Sequence, residues 1–444
     1  ITHWGLRDEI KSQYAEKDGL DKQKIIYEVM KKIISQEIPI EVINKKDYLW
    51  NPLTNKLYQG TKEVTGTPEK NERYQVLLNN FKAMKAVDAY SPQYPTYTER
   101  AFDQGMQLSE ETIEKIFTEF VSSPTVKKVG TLISKRLKRK LQPFDIWYDG
   151  FKSRSTISQQ ELDSVLKIKY PTKEVFKKDL PNILVKLGFS AAKAAYITDK
   201  IDVDASRGAG HAWGATMKTD KAHLRTRVGK NGMDYKGYNI AVHEFGHTVE
   251  QTLTLYDMDY YMLAGVPNTS FTEAVAFLFQ QKDLELLGYK NDNPNQKYLF
   301  ALDNFWSSYE IMGVSLVDMK VWKWLYANPN ATADELKAQV IAISKEVWNK
   351  YYADVFGVKD EPILGIYSHM IDIPLYLPAY PVGHLIDFQI EKYLEGKNLS
   401  TEVQRMLSSG NIAPQLWMKK AVGTEISGQA LIDETEEALT KIKE

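Results

Sequence analysis

The chain has 444 residues, 43% of them hydrophobic and 26% charged, which is enough to bury a large core in the manner of an ordinary globular protein. Fifty-seven Lys plus Arg stand against 58 Asp plus Glu, a formal net charge of −1, so no global field draws in nucleic acid or an anionic membrane. There is no cysteine, which excludes disulfides and thiolate metal sites and leaves His, Asp and Glu as the ligands open to a transition metal.

Residues 1–45 carry apolar positions at helical spacing interrupted by Gly19, and predict two helices. No apolar run approaches the roughly 18 residues a membrane helix needs. The opening ITHWGLRDEI has neither an initiating Met nor the build of a signal peptide, so the expectation is a processed or trimmed chain, its compartment left open between export (periplasmic or secreted, with the signal removed) and the cytoplasm.

Residues 51–74 (NPLTNKLYQGTKEVTGTPEKNERY) and 90–98 (YSPQYPTYT) are rich in Pro, Gly, Asn and Thr and read as connections. Ser109 heads a helix through Val121, and SPTVKKVGTLISKRLKRKLQPFD gives another that stops at Pro143. Its run Lys135, Arg136, Lys138, Arg139, Lys140 reads as a solvated helix face, because no aromatic residues are interleaved as nucleic-acid binding would want.

Residues 155–200 read as three short helices, with Ser158, Pro171 and Gly188 as punctuation. From 203 the Gly-rich stretch VDASRGAGHAWGATMKTDKAHLRTRVGKNGMDYKG is the best candidate for β-structure, and helices resume at Tyr238 and run nearly to the end.

The chemistry concentrates in NIAVHEFGHTVEQT. Helical residues four apart share a face, so His243 and His247 present both imidazoles to one point with Glu244 beside them. A catalytic zinc takes three protein ligands and leaves a position for water, whose proton a nearby carboxylate can take; Glu244 fits that role. The third ligand is sought in the helix that opens near Ser270 and ends at Gly288, where Glu273 lies 273 − 247 = 26 residues after His247. Ser270 and Glu273 also fit a capping box, which would turn the glutamate back to the helix N-terminus. The all-apolar continuation Ala274, Val275, Ala276, Phe277, Leu278, Phe279 argues instead for a buried carboxylate that needs a strong partner such as a metal.

HEFGHTVE followed by FTEAVAF resembles the glutamate zincin peptidases, specifically the group holding the angiotensin-converting-enzyme, thimet oligopeptidase and carboxypeptidase Taq families. The likeness is specific over about 205–290 and 365–395, and the chain looks short for the group, as though an N-terminal helical portion were missing. GHAWGATMK (210–218) resembles the edge strand that pairs with substrate backbone, which implies that His211 and Ala212 bind an extended peptide. DIPLYLPAYPVGHLIDFQIEKYL (372–394) resembles the oxyanion-stabilising segment. Counting back nine from Gln389 makes Tyr380 the first candidate there, with His369 and Tyr376 as further partners. Asp372 stands where the family has a histidine, so His369 has to reach in from three residues earlier. His384 reads as structural, and His223 is left unassigned.

Two departures stand out. Phe277 occupies the position at which some glutamate zincins carry an Asp that orients a zinc histidine, so that support must come from elsewhere. The Lys and Gln that hold a substrate's C-terminal carboxylate in dipeptidyl carboxypeptidases have no clear counterpart, Lys218, Arg225 and Arg227 being possible substitutes.

The expectation is a mainly α, two-lobed zincin with a small mixed β-sheet beside the active-site cleft, forming a single catalytic unit. Within it, 1–200 is a mostly helical lobe, 201–290 holds the edge strand and the zinc-binding helices, and 291–444 is a helical lobe with the oxyanion segment. The expected function is zinc-dependent hydrolysis of short unfolded peptides, with no nucleic-acid partner and no membrane span. A catalytically silent, zinc-containing peptide-binding protein is the alternative.

Overall fold

The computed structural model describes residues 3–151, 157–206, 210–289 and 293–442. The chain is mainly helical with a small mixed sheet, as its sequence patterning predicts. Helix starts follow capping chemistry: Ser109 accepts from the Thr112 amide and Ser158 from the Glu161 amide, each relieving an otherwise orphaned N–H. No helix among the described residues is long and apolar enough to cross a membrane.

One continuous cluster of buried side chains runs from Ile10 to Ile442. Its axis is the 32-residue helix Gln296–Ala327, in which Trp306, Tyr309 and Trp322 are all but inaccessible. Through its middle that helix is buried on every side, as an element enclosed by others must be, and Glu310 and Asp318 are buried with it.

The mixed sheet consists of β4 (Ile201–Ser206), β5 (His211–Trp213) and β6 (Ala222–Arg227), in the order β4-β6-β5. β6 runs parallel to β4 and antiparallel to β5, so β5 is an outer strand, as the resemblance implies. The 3-stranded antiparallel sheet of β1 (Leu49–Asn51), β2 (Lys56–Gln59) and β3 (Lys62–Val64) is a correction, since this stretch reads as loop. Its strands are too short to show an alternation, and Leu57 is their one deeply buried side chain. Asn55 (φ 57°) and Gly60 (φ 62°), residue types that favour turns, lie at the two hairpin reversals.

Two helix ends also differ from expectation. The helix Thr125–Leu137 stops before Pro143, at Lys138, whose backbone is left-handed. Beyond it Arg139 turns inward onto the buried Asp145 at 2.6 and 2.8 Å, and Arg136 donates to the Gly150 carbonyl, so the basic run is not one solvated face. The helix expected over 270–288 is two, Thr269–Gln280 and Asp283–Leu286, with Asp283 at the break taking hydrogen bonds from Tyr235 and Asn239.

Candidate metal centre

Three helices build the site: the motif helix Tyr235–Tyr256, the glutamate helix Thr269–Gln280 and the tyrosine helix Ala379–Leu394. Asp234 caps the first through the Gly237 amide at 2.8 Å, and Asn268 caps the second through the Ser270 amide at 2.9 Å. Asn268, not Ser270, is therefore the N-cap, and the capping-box use of Glu273 is not realised.

Two glycines set how closely these helices cross. A Cβ on Gly246 would come within 2.7 Å of the Ala276 Cα, and one on Gly383 within 3.0 Å of the Ser270 carbonyl oxygen and 3.2 Å of the Glu273 Cβ. The glutamate helix is thus clamped from both sides through positions that admit no side chain.

This packing brings His243, His247 and Glu273 together, with their ligand atoms all within 4.8 Å of one another. The His243 Nε2 lies 3.5 Å from Glu273 Oε2 and the His247 Nε2 lies 4.0 Å from Glu273 Oε1. A tetrahedral zinc with bonds near 2.1 Å separates its donors by about 3.4 Å, so the donor set fits such an ion with small adjustments. Both imidazoles also keep Nε2 for the centre by engaging Nδ1 elsewhere: His243 with Gln280 Oε1 at 3.1 Å and His247 with Thr272 Oγ1 at 3.0 Å.

The electrostatics suit a cation. Burial works to raise the Glu273 carboxyl, but the His243 hydrogen bond and the charges of His247 and His243 hold it at about 2. Burial, reinforced by His243, depresses His247 to about 4. Glu244 is pushed up to about 7 by burial, against the pull of His243 and with help from Glu273. A buried carboxylate kept ionised beside two imidazoles is a ready ligand.

The tyrosine segment closes the other side. The Tyr376 hydroxyl donates to Glu273 Oε1 at 3.1 Å, and Tyr380 packs edge-on against Tyr376 with ring centroids 5.3 Å apart. His369 lies 5.9 Å from the Tyr376 ring and 6.3 Å from the Tyr380 ring, nearly parallel to the latter. Its Nδ1 is held by Asp372 at 2.9 Å, which fixes the orientation of the ring. Burial, then Glu273, raises both tyrosine hydroxyls, so they stay protonated and able to donate.

His211 and Ala212 lie at the start of β5, paired with Arg225 and Leu224 of β6. The preceding Gly210 approaches the motif helix so closely that a Cβ there would sit 3.1 Å from Glu244 Oε1. Of the cations considered for substrate carboxylates, Lys218 donates to the Met258 carbonyl, Arg227 pairs with Asp234, and Arg225 lies over the Trp213 ring. His384 stacks on Phe277 at 4.5 Å, and His223 bonds Asp204 and stacks on Trp213.

Residues that sequence reasoning missed are Gly210, Asn239, Glu250, Thr272 and Gln280. The signal for two of them was present: Asn239 and Glu250 stand four before His243 and three after His247, on the ligand face of the same helix.

No family model and no curated protein matches this chain. Solved structures do. A protein from Chlamydophila abortus described as a peptidase aligns with a TM-score of 0.53 at 14% identity over 84% of this chain and 62% of its own. An oligoendopeptidase F from Bacillus anthracis str. Ames gives 0.54 at 14% identity over 83% and 63%, and another oligoendopeptidase F structure gives 0.55 at 14% over 97% and 77%. The chain shares the fold of helical peptidases. It spans 62% of the length of the Chlamydophila abortus protein and 63% of the Bacillus anthracis one.

Proposed function

We propose that this chain is a zinc-dependent metallopeptidase of the glutamate zincin type, acting on short, unfolded peptides. The observation that carries the reading is the convergence of His243, His247 and Glu273 within 4.8 Å, with Glu244 on the adjoining helix position. The fold shared with helical peptidases supports it.

His243 and His247, through Nε2, and Glu273, through its carboxylate, would hold the ion. When bound, zinc would supply Lewis-acid charge that acidifies water and polarises a carbonyl. Glu244, in a largely dry position, takes the proton released as water attacks the scissile carbonyl and returns it to the departing amine. Tyr380, with Tyr376 and His369 around it, donates a hydrogen bond to the oxygen on which negative charge develops, a contribution of about 3 kcal/mol for one well-placed donor. The outer edge of β5, at His211 and Ala212, offers main-chain donors and acceptors to an extended peptide, and Gly210 lets that strand lie against Ile240 of the motif helix, close to Glu244.

The test is mass spectrometry of a mixed peptide pool incubated with zinc-loaded protein, with Glu244→Ala as control. Cleavage is expected from the wild type and slower by about 10²–10⁴-fold from the variant. Equal product from both, or none from zinc-loaded wild type, would rule out the peptidase reading.

A further inference from the structure

The Phe277 departure leaves open what orients His243, and the structure contains a specific answer. Tyr235, Asn239, His243 and His247 recur every fourth residue along one stripe of the motif helix. From this stripe a line of directed hydrogen bonds leads away from the centre. The His243 Nδ1 meets Gln280 Oε1 at 3.1 Å, Gln280 Nε2 donates to Asn239 Oδ1 at 2.8 Å, and Asn239 Nδ2 donates to Asp283 Oδ2 at 2.7 Å. Asp283 Oδ2 also accepts from the Tyr235 hydroxyl at 2.7 Å, and Oδ1 accepts from the Leu284 amide at 2.6 Å.

The direction of this line is dictated from its far end. A carboxylate that already receives N–H and O–H donors can only accept, so Asn239 must turn its NH₂ to Asp283 and its carbonyl oxygen to Gln280. Gln280 must then turn its NH₂ to Asn239 and its own carbonyl oxygen to His243. An imidazole facing a carbonyl oxygen through Nδ1 carries its proton there and keeps the Nε2 lone pair for a metal.

We infer that Asp283, acting through Asn239 and Gln280, locks His243 in the metal-binding tautomer and so sets metal affinity from outside the centre. This rests on the metal reading above and deepens it. The support of His247 is built differently: Thr272 accepts at 3.0 Å and donates to Glu250 at 2.8 Å, and burial pushes the Glu250 carboxyl up to about 7. A hydroxyl can rotate to donate or accept, so Thr272 does not by itself set the direction of its bond to His247, and His243 is the ligand whose polarity is fixed. Asn239 and Gln280 are positioning residues, and neither touches a reacting atom.

Zinc dissociation constants measured by chelator competition test this without reference to peptide cleavage. Asn239→Leu is the telling variant, because it leaves Gln280 in place but free to flip its amide. Weakening by roughly 10–100-fold is expected, as for loss of a metal ligand's outer partner. The double variant Asn239→Leu with Gln280→Glu should recover most of that loss, since a carboxylate presents an acceptor to His243 in either orientation. ¹⁵N spectra of the zinc-loaded proteins should show the His243 proton on Nδ1 in wild type and double variant. Zinc-binding wild type with an equally tight Asn239→Leu, or a double variant as weak as the single one, would overturn the inference alone. Wild type with no affinity for zinc would overturn the metal reading as well.

Discussion

Two buried carboxylates end with opposite shifts although burial acts on both in the same direction. Glu273 is 7% exposed, and two imidazoles and the Tyr376 hydroxyl hold its carboxyl at about 2. Asp318, in the C-terminal half of the central helix, is 0% exposed, neither of its oxygens has a hydrogen-bond partner among the described residues, and burial lifts its carboxyl well above the usual range. The same desolvation acts on both, so the neighbours decide which one remains an anion. A buried acid is available to a metal here only because the fold surrounds it with groups that favour its charge.

The strongest way to break that contrast is to remove the charge at the centre. Glu273→Gln keeps the shape and loses the anion, and zinc affinity should fall by more than the roughly 10–100-fold attached to an indirect support. Zinc content after dialysis checks this, and a variant that retains zinc like wild type would remove Glu273 from the ligand set.

Tyr380→Phe should separate binding from chemistry. Loss of an oxyanion donor costs about 10²–10³-fold in kcat, while zinc affinity should be unchanged because Tyr380 has no hydrogen bond to Glu273. A kcat loss accompanied by equal zinc loss would make Tyr380 a structural residue. Tyr376→Phe should do the reverse on a smaller scale. It deletes the 3.1 Å hydrogen bond to Glu273 Oε1, and a bond to a charged acceptor is worth about 1.5–3 kcal/mol. Zinc binding should weaken by roughly 10- to 100-fold, and chelator competition at fixed pH measures it.

The contrast also marks what a sequence reveals. HEFGH with Glu273 was legible because helical spacing alone places two imidazoles on one face and an apolar continuation implies burial of the glutamate. β-structure somewhere in the Gly-rich stretch from 203 was legible from its texture, but the edge strand at 211–213 within it was legible only through resemblance, since three residues cannot display a period. The sheet of residues 49–64 was hidden for that reason too, although its turn residues were visible. Gln280 and Thr272 were not legible as supports, because which face of the glutamate helix meets the motif helix depends on the close approaches at Gly246 and Gly383. Asp318 gave no signal at all: an acid in an apolar helix reads equally as a ligand, an ion-pair partner or an exposed residue.

Asp318 offers the smallest effect on the site and the clearest effect on stability. Its folded-state pKa is raised, so the folded protein keeps a proton that the unfolded chain has released above its ordinary value near 3.9. The stability associated with the neutral acid is therefore complete below about pH 4 and is lost progressively as pH rises towards the folded-state value. Asp318→Asn has no proton to release. Relative to that variant, wild type should lose about 1.4 kcal/mol of unfolding free energy per pH unit across this window. Urea denaturation of both proteins at pH 5, 6, 7 and 8 measures the difference, in which all other titrating groups cancel. A difference that stays flat with pH would mean that Asp318 is ionised in the folded protein and has found a partner, and the contrast with Glu273 would collapse. Zinc affinity should be the same in the two proteins, because no hydrogen bond links Asp318 to the metal-centre residues.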